Sequence, residues 1–348
     1  MRALAAGGAG MIGSHLVDAL LARGDEVVAV DNLLTGRQRN LAHLAGCPRF
    51  RLIVEDIRGD LAEIRAAGPF DRIYHLASPA SPRDFARYPL ETLTTNAEGT
   101  RRLLDIACDD GARLLFASTS EVYGDPETHP QPESYRGNVN PIGPRSPYDE
   151  GKRYGESLCI AACRSAGTDV RIARLFNTYG PRSRPDDGRV VPNFCRQALL
   201  GGSLTIYGDG SQTRSLAYVG DIVRGLIALM EAPRLVGEVV NLGCPEELTV
   251  RDLADRVLAI SGRWLSVVSL PLPPDDPVRR CPDIAKARRL LGWSPRVGLD
   301  DGLRMTLAAM ATEICPPRRS ARTCAAVVAA AVDSGDDTAR GTARGERR

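Results

Sequence analysis

The sequence predicts an α/β fold, a doubly wound parallel sheet followed by a smaller C-terminal α/β cap that binds substrate. Three observations carry this. Short apolar runs alternate with helix-period segments from Met1 to about Thr168, a glycine-rich turn follows the first run, and the pattern loosens into Pro- and Gly-rich connections after Asn177. Apolar runs at 2–6, 26–31, 50–54, 72–75, 113–117 and 170–175 read as buried strands, and the segments 11–23, 89–109 and 148–166 as helices between them. That rhythm implies parallel strands with crossover helices. In the second half, helices are expected at 191–200, 221–231, 250–261, 285–291 and 300–310. The organisation is therefore a cofactor domain over 1–176, a cap over 177–312 with some chain crossing back, and a tail over 313–348. The tail is poor in aromatics and periodicity, so it is expected to be largely disordered, with a short helix at 323–332.

With 348 residues, 43% of them hydrophobic, and a formal charge of +2, the chain can bury a sizeable core. Charges of both signs are interspersed, which offers no field for nucleic acid and leaves a small molecule as the expected partner. The nine cysteines include no CxxC pair and no spacing typical of zinc, so they read as reduced thiols and no metal is expected. Cys159 and Cys163, four apart on one helix, read as core filler. No stretch reaches the ~20 apolar residues that span a bilayer, and Met1–Ala6 reads as a strand rather than a leader. A cytoplasmic location without membrane attachment is expected.

Gly7-Gly8-Ala9-Gly10-Met11-Ile12-Gly13 follows the first strand and opens directly into a helix. Glycines there permit a tight turn and close approach of backbone to a pyrophosphate, whose charge meets the helix N-terminus. In this strand–loop–helix context the motif marks a Rossmann-type dinucleotide site. The second strand ends in Asp31-Asn32, where a carboxylate accepts hydrogen bonds from the adenosine ribose and repels a 2′-phosphate, favouring NAD. Arg37 lies nearby, so NADP stays open. Thr35 and Gly36 in the following turn, Asp56 and Ile57 after the third strand, and Leu76 and Ala77 after the fourth complete the expected cofactor contacts, Asp56 facing the adenine. His75 reads as a hydrogen-bonded core residue.

The strand 113–117 runs into Ser118-Thr119-Ser120-Glu121, and Tyr148-Asp149-Glu150-Gly151-Lys152 opens a later helix. Residues i and i+4 share a helix face, so Lys152 lies beside Tyr148 and, with a positive nicotinamide, lowers the phenol's pKa. The tyrosinate then removes a hydroxyl proton that Thr119 orients, while hydride leaves for the cofactor.

On these residues the chain resembles the extended short-chain dehydrogenases/reductases. Finer stretches, Ser78-Pro79-Ala80-Ser81-Pro82, Asn138 to Arg145, Tyr148 to Arg153 and Tyr207 to Arg214, are similar to those of UDP-glucuronate decarboxylases, over Met1 to about Met310. The resemblance implies oxidation of the sugar C4 hydroxyl by bound NAD, loss of the C5 carboxylate as CO₂, and re-reduction to UDP-xylose, with no net redox change. It implies that Ser120, Glu121 and Arg214 contact the sugar ring or its carboxylate. It also implies that the UDP-glucuronate lies against Tyr88, Asn177, Arg182, Arg189, Val190, Tyr207, Gln212 and Arg214, and that the chain forms homodimers. Apolar positions on more than one side of the helices 89–109 and 148–166 fit a four-helix interface.

Departures bear on substrate fit. Ala5-Ala6 and Met11 repack the loop, Pro147 precedes the tyrosine, Leu216-Ala217 follow Arg214-Ser215, and Glu91 and Thr94 stand where relatives carry lysines. The 4,6-dehydratases resemble the chain but carry an Asp-Glu pair where Ser120-Glu121 stands here. A UDP-sugar 4-epimerase is the competing reading, and a non-catalytic NAD-binding regulator a third.

Overall fold

Strands buried on both faces require a helical layer on each side, and the first apolar run, β1 (Arg2–Ala6), is such a strand, with four of its five residues buried. In the computed structural model, which describes residues 1–272 and 279–315, it leads through α1 (Met11–Ala22), β2 (Glu26–Val30), β3 (Phe50–Ile53), α2 (Ala62–Ala66) and β4 (Arg72–His75). Next come α3 (Pro82–Arg87), α4 (Pro89–Thr94), a π-helical turn (Thr95–Gly99) and α5 (Thr100–Asp110). Then follow β5 (Arg113–Thr119), α6 (Ser146–Ala166) and β6 (Val170–Leu175).

Beyond them lie β7 (Thr178–Tyr179), α7 (Val190–Leu200), β8 (Leu204–Tyr207), β9 (Thr213–Ser215), β10 (Ala217–Tyr218) and α8 (Val219–Glu231). The described chain closes with β11 (Val239–Leu242), β12 (Glu247–Thr249), α9 (Val250–Ser261), β13 (Val267–Leu270), α10 (Ala285–Leu291) and α11 (Leu299–Ile314).

The main sheet has seven strands in the order β11-β6-β5-β4-β1-β2-β3, all parallel. The order reverses between β1 and β4, so a crevice opens at the carboxyl ends of these strands. One face is packed by α1 and α8, where Leu16, Val17 and Leu20 meet Ile222, Val223 and Leu226. The other carries α2, α5 and α6, through Ile64, Leu103, Leu104 and Cys159. A separate core joins α7, α9 and α11 through Phe194, Leu253 and Leu307. The chain returns to the main sheet with β11, which pairs with β6.

The expected helix over 89–109 is present but interrupted by the π turn, whose Gly99 passes Ile57 so closely that a Cβ would stand 2.6 Å from its side chain. Short α2 and α3 and the paired strands of the second half went unread, since elements of two to six residues show no resolvable period. Helix α11 runs to Ile314, taking in the first two residues of the expected tail; the tail from 316 onward and the helix expected at 323–332 lie outside the described residues. Among the described residues, seven cysteines are free thiols. Cys315 corrects the all-reduced reading, since it is disulfide-bonded.

Asp221, in the first turn of α8, ties the cap to the sheet. Its carboxylate accepts from the Arg296 and Val297 N–H groups at 2.8 and 2.9 Å, and its carbonyl takes the Trp293 indole N–H at 3.0 Å. Replacing it leaves two half-buried donors unmet, which costs about 1–3 kcal/mol each at most. Asp221→Ala is expected to lower unfolding free energy in urea by about 3 kcal/mol, and a loss below about 1 kcal/mol would show that the segment 293–297 is held otherwise.

Candidate active site

The β1–α1 loop shapes one end of the crevice. Gly7 adopts a left-handed φ of +81°, and a Cβ on it would stand 2.6 Å from the Ala77 nitrogen, while one on Gly13 would stand 2.1 Å from the Gly7 oxygen. Only glycine lets the loop lie this flat. Helix α1 has no side-chain cap at Gly10, so its first-turn N–H groups stay available at the cavity lined by Gly10, Met11, Ile12 and Gly13.

A narrow cleft continues past Gly7 and Gly10 to Asp31, Asn32, Thr35, Gly36, Asp56, Ile57, Leu76 and Ala77. All the expected cofactor residues thus lie along the two connected openings, together with Tyr148 and Lys152. Asp31 accepts from the Ala9 and Leu33 N–H groups at 3.0 and 2.8 Å, and burial raises its pKa. Asp56 is held at about 2, first by the side-chain hydrogen bonds of Arg58, and also accepts from Asn32 at 2.8 Å. Charged residues lining this cleft, among those described, are Asp31, Glu55 and Asp56. Arg37, which left NADP open, points elsewhere and pairs with Glu313 at 2.7 Å.

The other opening is a cavity of about 700 Å³, within the range of small-molecule sites. Its centre is Tyr148, whose ring stacks on Phe85 with centroids 5.4 Å apart. The Thr119 side chain hydrogen-bonds Tyr148, yet burial dominates and pushes the phenol up to about 12. Lys152 donates to the Ala117 carbonyl at 2.7 Å and lies over the Phe116 ring, 4.9 Å from its centroid. Burial brings its pKa down to about 7. His75 is fully buried, bonded to Thr100 Oγ1 at 3.0 Å.

Five arginines, Arg83, Arg145, Arg189, Arg214 and Arg280, and Lys152 line the cavity against one carboxylate, Glu121, among the described residues. Glu121 sits between Arg145 and Arg280. Burial alone would raise its pKa, but the two guanidiniums outweigh that and hold it at about 2. Adjacent Asp149 is driven the other way, up to about 7, by burial and then by the charge of Glu121.

Of the residues expected at the sugar nucleotide, Ser120, Asn177, Arg189, Val190, Tyr207, Gln212 and Arg214 line this cavity. Arg189 is also paired with Asp187. Two lie elsewhere. Arg182, at a left-handed φ of +65°, turns its guanidinium to Asp18 at 2.7 Å. Tyr88 sits at the α3–α4 junction beneath the Arg87 guanidinium, one turn beyond Phe85, which takes the place against Tyr148. Sequence reasoning missed Arg280 and the role of Arg145. Arg145 closes a stretch already singled out, but Arg280 arrives from the segment before α10 with no local pattern to mark it.

His129, Glu247 and Cys281 bring their ligand atoms within 4.8 Å of one another, but the Arg279 guanidinium already bonds His129 at 2.8 Å and Glu247 at 3.1 Å.

Residues 3–243 match the NAD dependent epimerase/dehydratase family. The chain belongs to that family. It is 51% identical over 314 residues to UDP-glucuronic acid decarboxylase 1 of Danio rerio, covering 90% of this chain and 73% of that protein. UDP-glucuronic acid decarboxylase 3 of Arabidopsis thaliana is 52% identical over 305 residues, 87% of each chain. Among solved structures, the UDP-glucuronic acid 4-epimerase from Bacillus cereus in complex with UDP-glucuronic acid and NAD superposes with a TM-score of 0.80 at 34% identity, covering 89% of this chain and 99% of that one. NAD is the cofactor of this epimerase/dehydratase family member, and the glycine cradle, uncapped α1 terminus and acidic ribose cleft fit it.

The buried ammonium has a measurable signature. Unfolded, Lys152 keeps its proton to about 10.5, whereas folded it releases it near 7. The unfolded state therefore binds more protons across that window, and this group makes stability rise with pH. Lys152→Met is expected to raise Tm more at pH 6 than at pH 10; equal shifts at both would show that burial does not disfavour the charge.

Proposed function

We propose that the chain is a UDP-glucuronate decarboxylase, converting UDP-glucuronate to UDP-xylose and CO₂. The observation that carries this is the cationic cavity around Tyr148. A chain of almost balanced charge concentrates five arginines where a nucleoside diphosphate and a sugar carboxylate bring several negative charges. Half-identical relatives named as decarboxylases support it further.

When bound, NAD accepts hydride from the sugar C4 and later returns it. Tyr148 takes the C4 hydroxyl proton, Thr119 holds that oxygen in line, and the Lys152 ammonium stabilises the tyrosinate that burial alone opposes. The C4 ketone stands β to the carboxylate, so the C5–carboxyl bond breaks with its electrons flowing into the ketone as an enolate, and CO₂ leaves. After C5 gains a proton, Tyr148 returns its own to the C4 oxygen. Ser120, Glu121, Arg145, Arg214 and Arg280 surround the carboxyl end.

A UDP-glucuronate 4-epimerase is the second reading, favoured by the fold match to the Bacillus cereus enzyme. Incubating the protein with UDP-glucuronate labelled in its carboxyl carbon, without added reductant, separates the two. Labelled CO₂ with UDP-xylose is expected, falling about 10²–10⁴-fold in Tyr148→Phe; UDP-galacturonate without CO₂ would move the assignment to the epimerase.

We further propose a homodimer built on α4 and α6. Leu90, Leu93 and Tyr154 on these helices are 72%, 39% and 52% exposed, and a shared apolar face of two neighbouring helices fits a four-helix contact with a second copy. Sedimentation is expected to give a dimer that Leu90→Glu with Leu93→Glu converts to monomer. A monomeric parent, or a dimer that survives both changes, would exclude this interface.

A further inference from the structure

Asp31 and Arg37 are joined by a single residue of backbone. The Ala9 N–H donates to Asp31 Oδ2 at 3.0 Å, and the Ala9 carbonyl accepts from the Arg37 N–H at 3.0 Å. Gly36, next to Arg37, passes so close to the same carboxylate that a Cβ would stand 2.5 Å from either oxygen. The Arg37 side chain therefore springs from the rim of the cleft where the adenosine ribose is expected. Its guanidinium nevertheless does not line that cleft.

It is held away by α11 and by carbonyls of the segment between β7 and α7. One Arg37 nitrogen pairs with Glu313 Oε1 at 2.7 Å, and another donates to the Arg182 carbonyl at 2.9 Å. The second Glu313 oxygen pairs with Arg39. Dinucleotide sites that take a 2′-phosphate do so with a nearby arginine, whereas a lone carboxylate there repels it. Here Arg37 starts at the ribose end, and one carboxylate from the far end of the described chain pairs with it and with nearby Arg39.

We propose that Glu313 is a cofactor-specificity residue: by holding Arg37 and Arg39 off the ribose rim, it withholds the cations a 2′-phosphate needs and so enforces NAD over NADP. This rests on NAD lying along the cleft beside Asp31. The Glu313 carboxylate pairs with Arg37 and Arg39, so removing its charge acts through the arginines it releases.

The test uses the full chain and two competitors, 5′-AMP and 2′,5′-ADP, displacing NADH as followed by nicotinamide fluorescence. Glu313→Gln is expected to shift the ratio of their inhibition constants about tenfold toward 2′,5′-ADP, equivalent to about 1.4 kcal/mol. Adding Arg37→Ala and Arg39→Ala to it is expected to cancel the gain. With Glu313 intact, the same two arginine changes are expected to leave the ratio unaltered, a measurement that stands even if Glu313→Gln folds poorly. An unchanged ratio in folded Glu313→Gln, a gain that survives loss of both arginines, or a parent ratio that depends on them would each overturn the proposal. Failure of the parent to bind NADH or 5′-AMP at all would instead remove the cofactor assignment beneath it.

Discussion

The close seating of α6 on β5 is the constraint on which the site depends. At Gly155 a Cβ would stand 2.5 Å from the Phe116 ring, so any larger residue would lift the helix away from the strand. With glycine there, the ring beneath Lys152 and the Ala117 carbonyl beside it come within reach of the ammonium. A lysine buried this deeply is tolerable only with such partners. The same seating brings Tyr148, one turn earlier, to the end of β5, where Thr119 meets it. Packing, proton affinity and the position of the reactive phenol therefore follow from one missing side chain.

How much of this could be read in advance depended on range. The main sheet was legible because its strands are near-continuous apolar runs between amphipathic helices, and the glycine loop, Asp31, Thr119, Tyr148 and Lys152 each lie in a short motif at a strand or helix end. Neighbours on one element announce one another. Arg280 did not, because it reaches Glu121 across 159 residues of chain, a separation no local spacing encodes. Arg182 and Tyr88 erred in the opposite sense. Both lie near motif residues in the chain, but a left-handed backbone at Arg182 and the helix junction at Tyr88 turn them aside, and such rotations are set by tertiary partners such as Asp18. The fate of Arg37 was equally hidden, since Glu313 is its partner only in three dimensions.

The two ends of the crevice divide by charge. Its narrow end is acidic, which suits ribose hydroxyls, and its wide end is cationic, which suits a nucleotide diphosphate. Within the wide end, Glu121 occupies a position that pure anion binding would leave to the ligand. A carboxylate gripped by unshared guanidiniums gains most from them while its charge is localised, and decarboxylation removes that charge as CO₂. Tight ground-state binding of this kind would raise the barrier rather than lower it. Because Arg145 and Arg280 already share Glu121, their field on an incoming carboxylate is partly neutralised. Glu121 thus tempers the attraction on the part of the ligand that reacts.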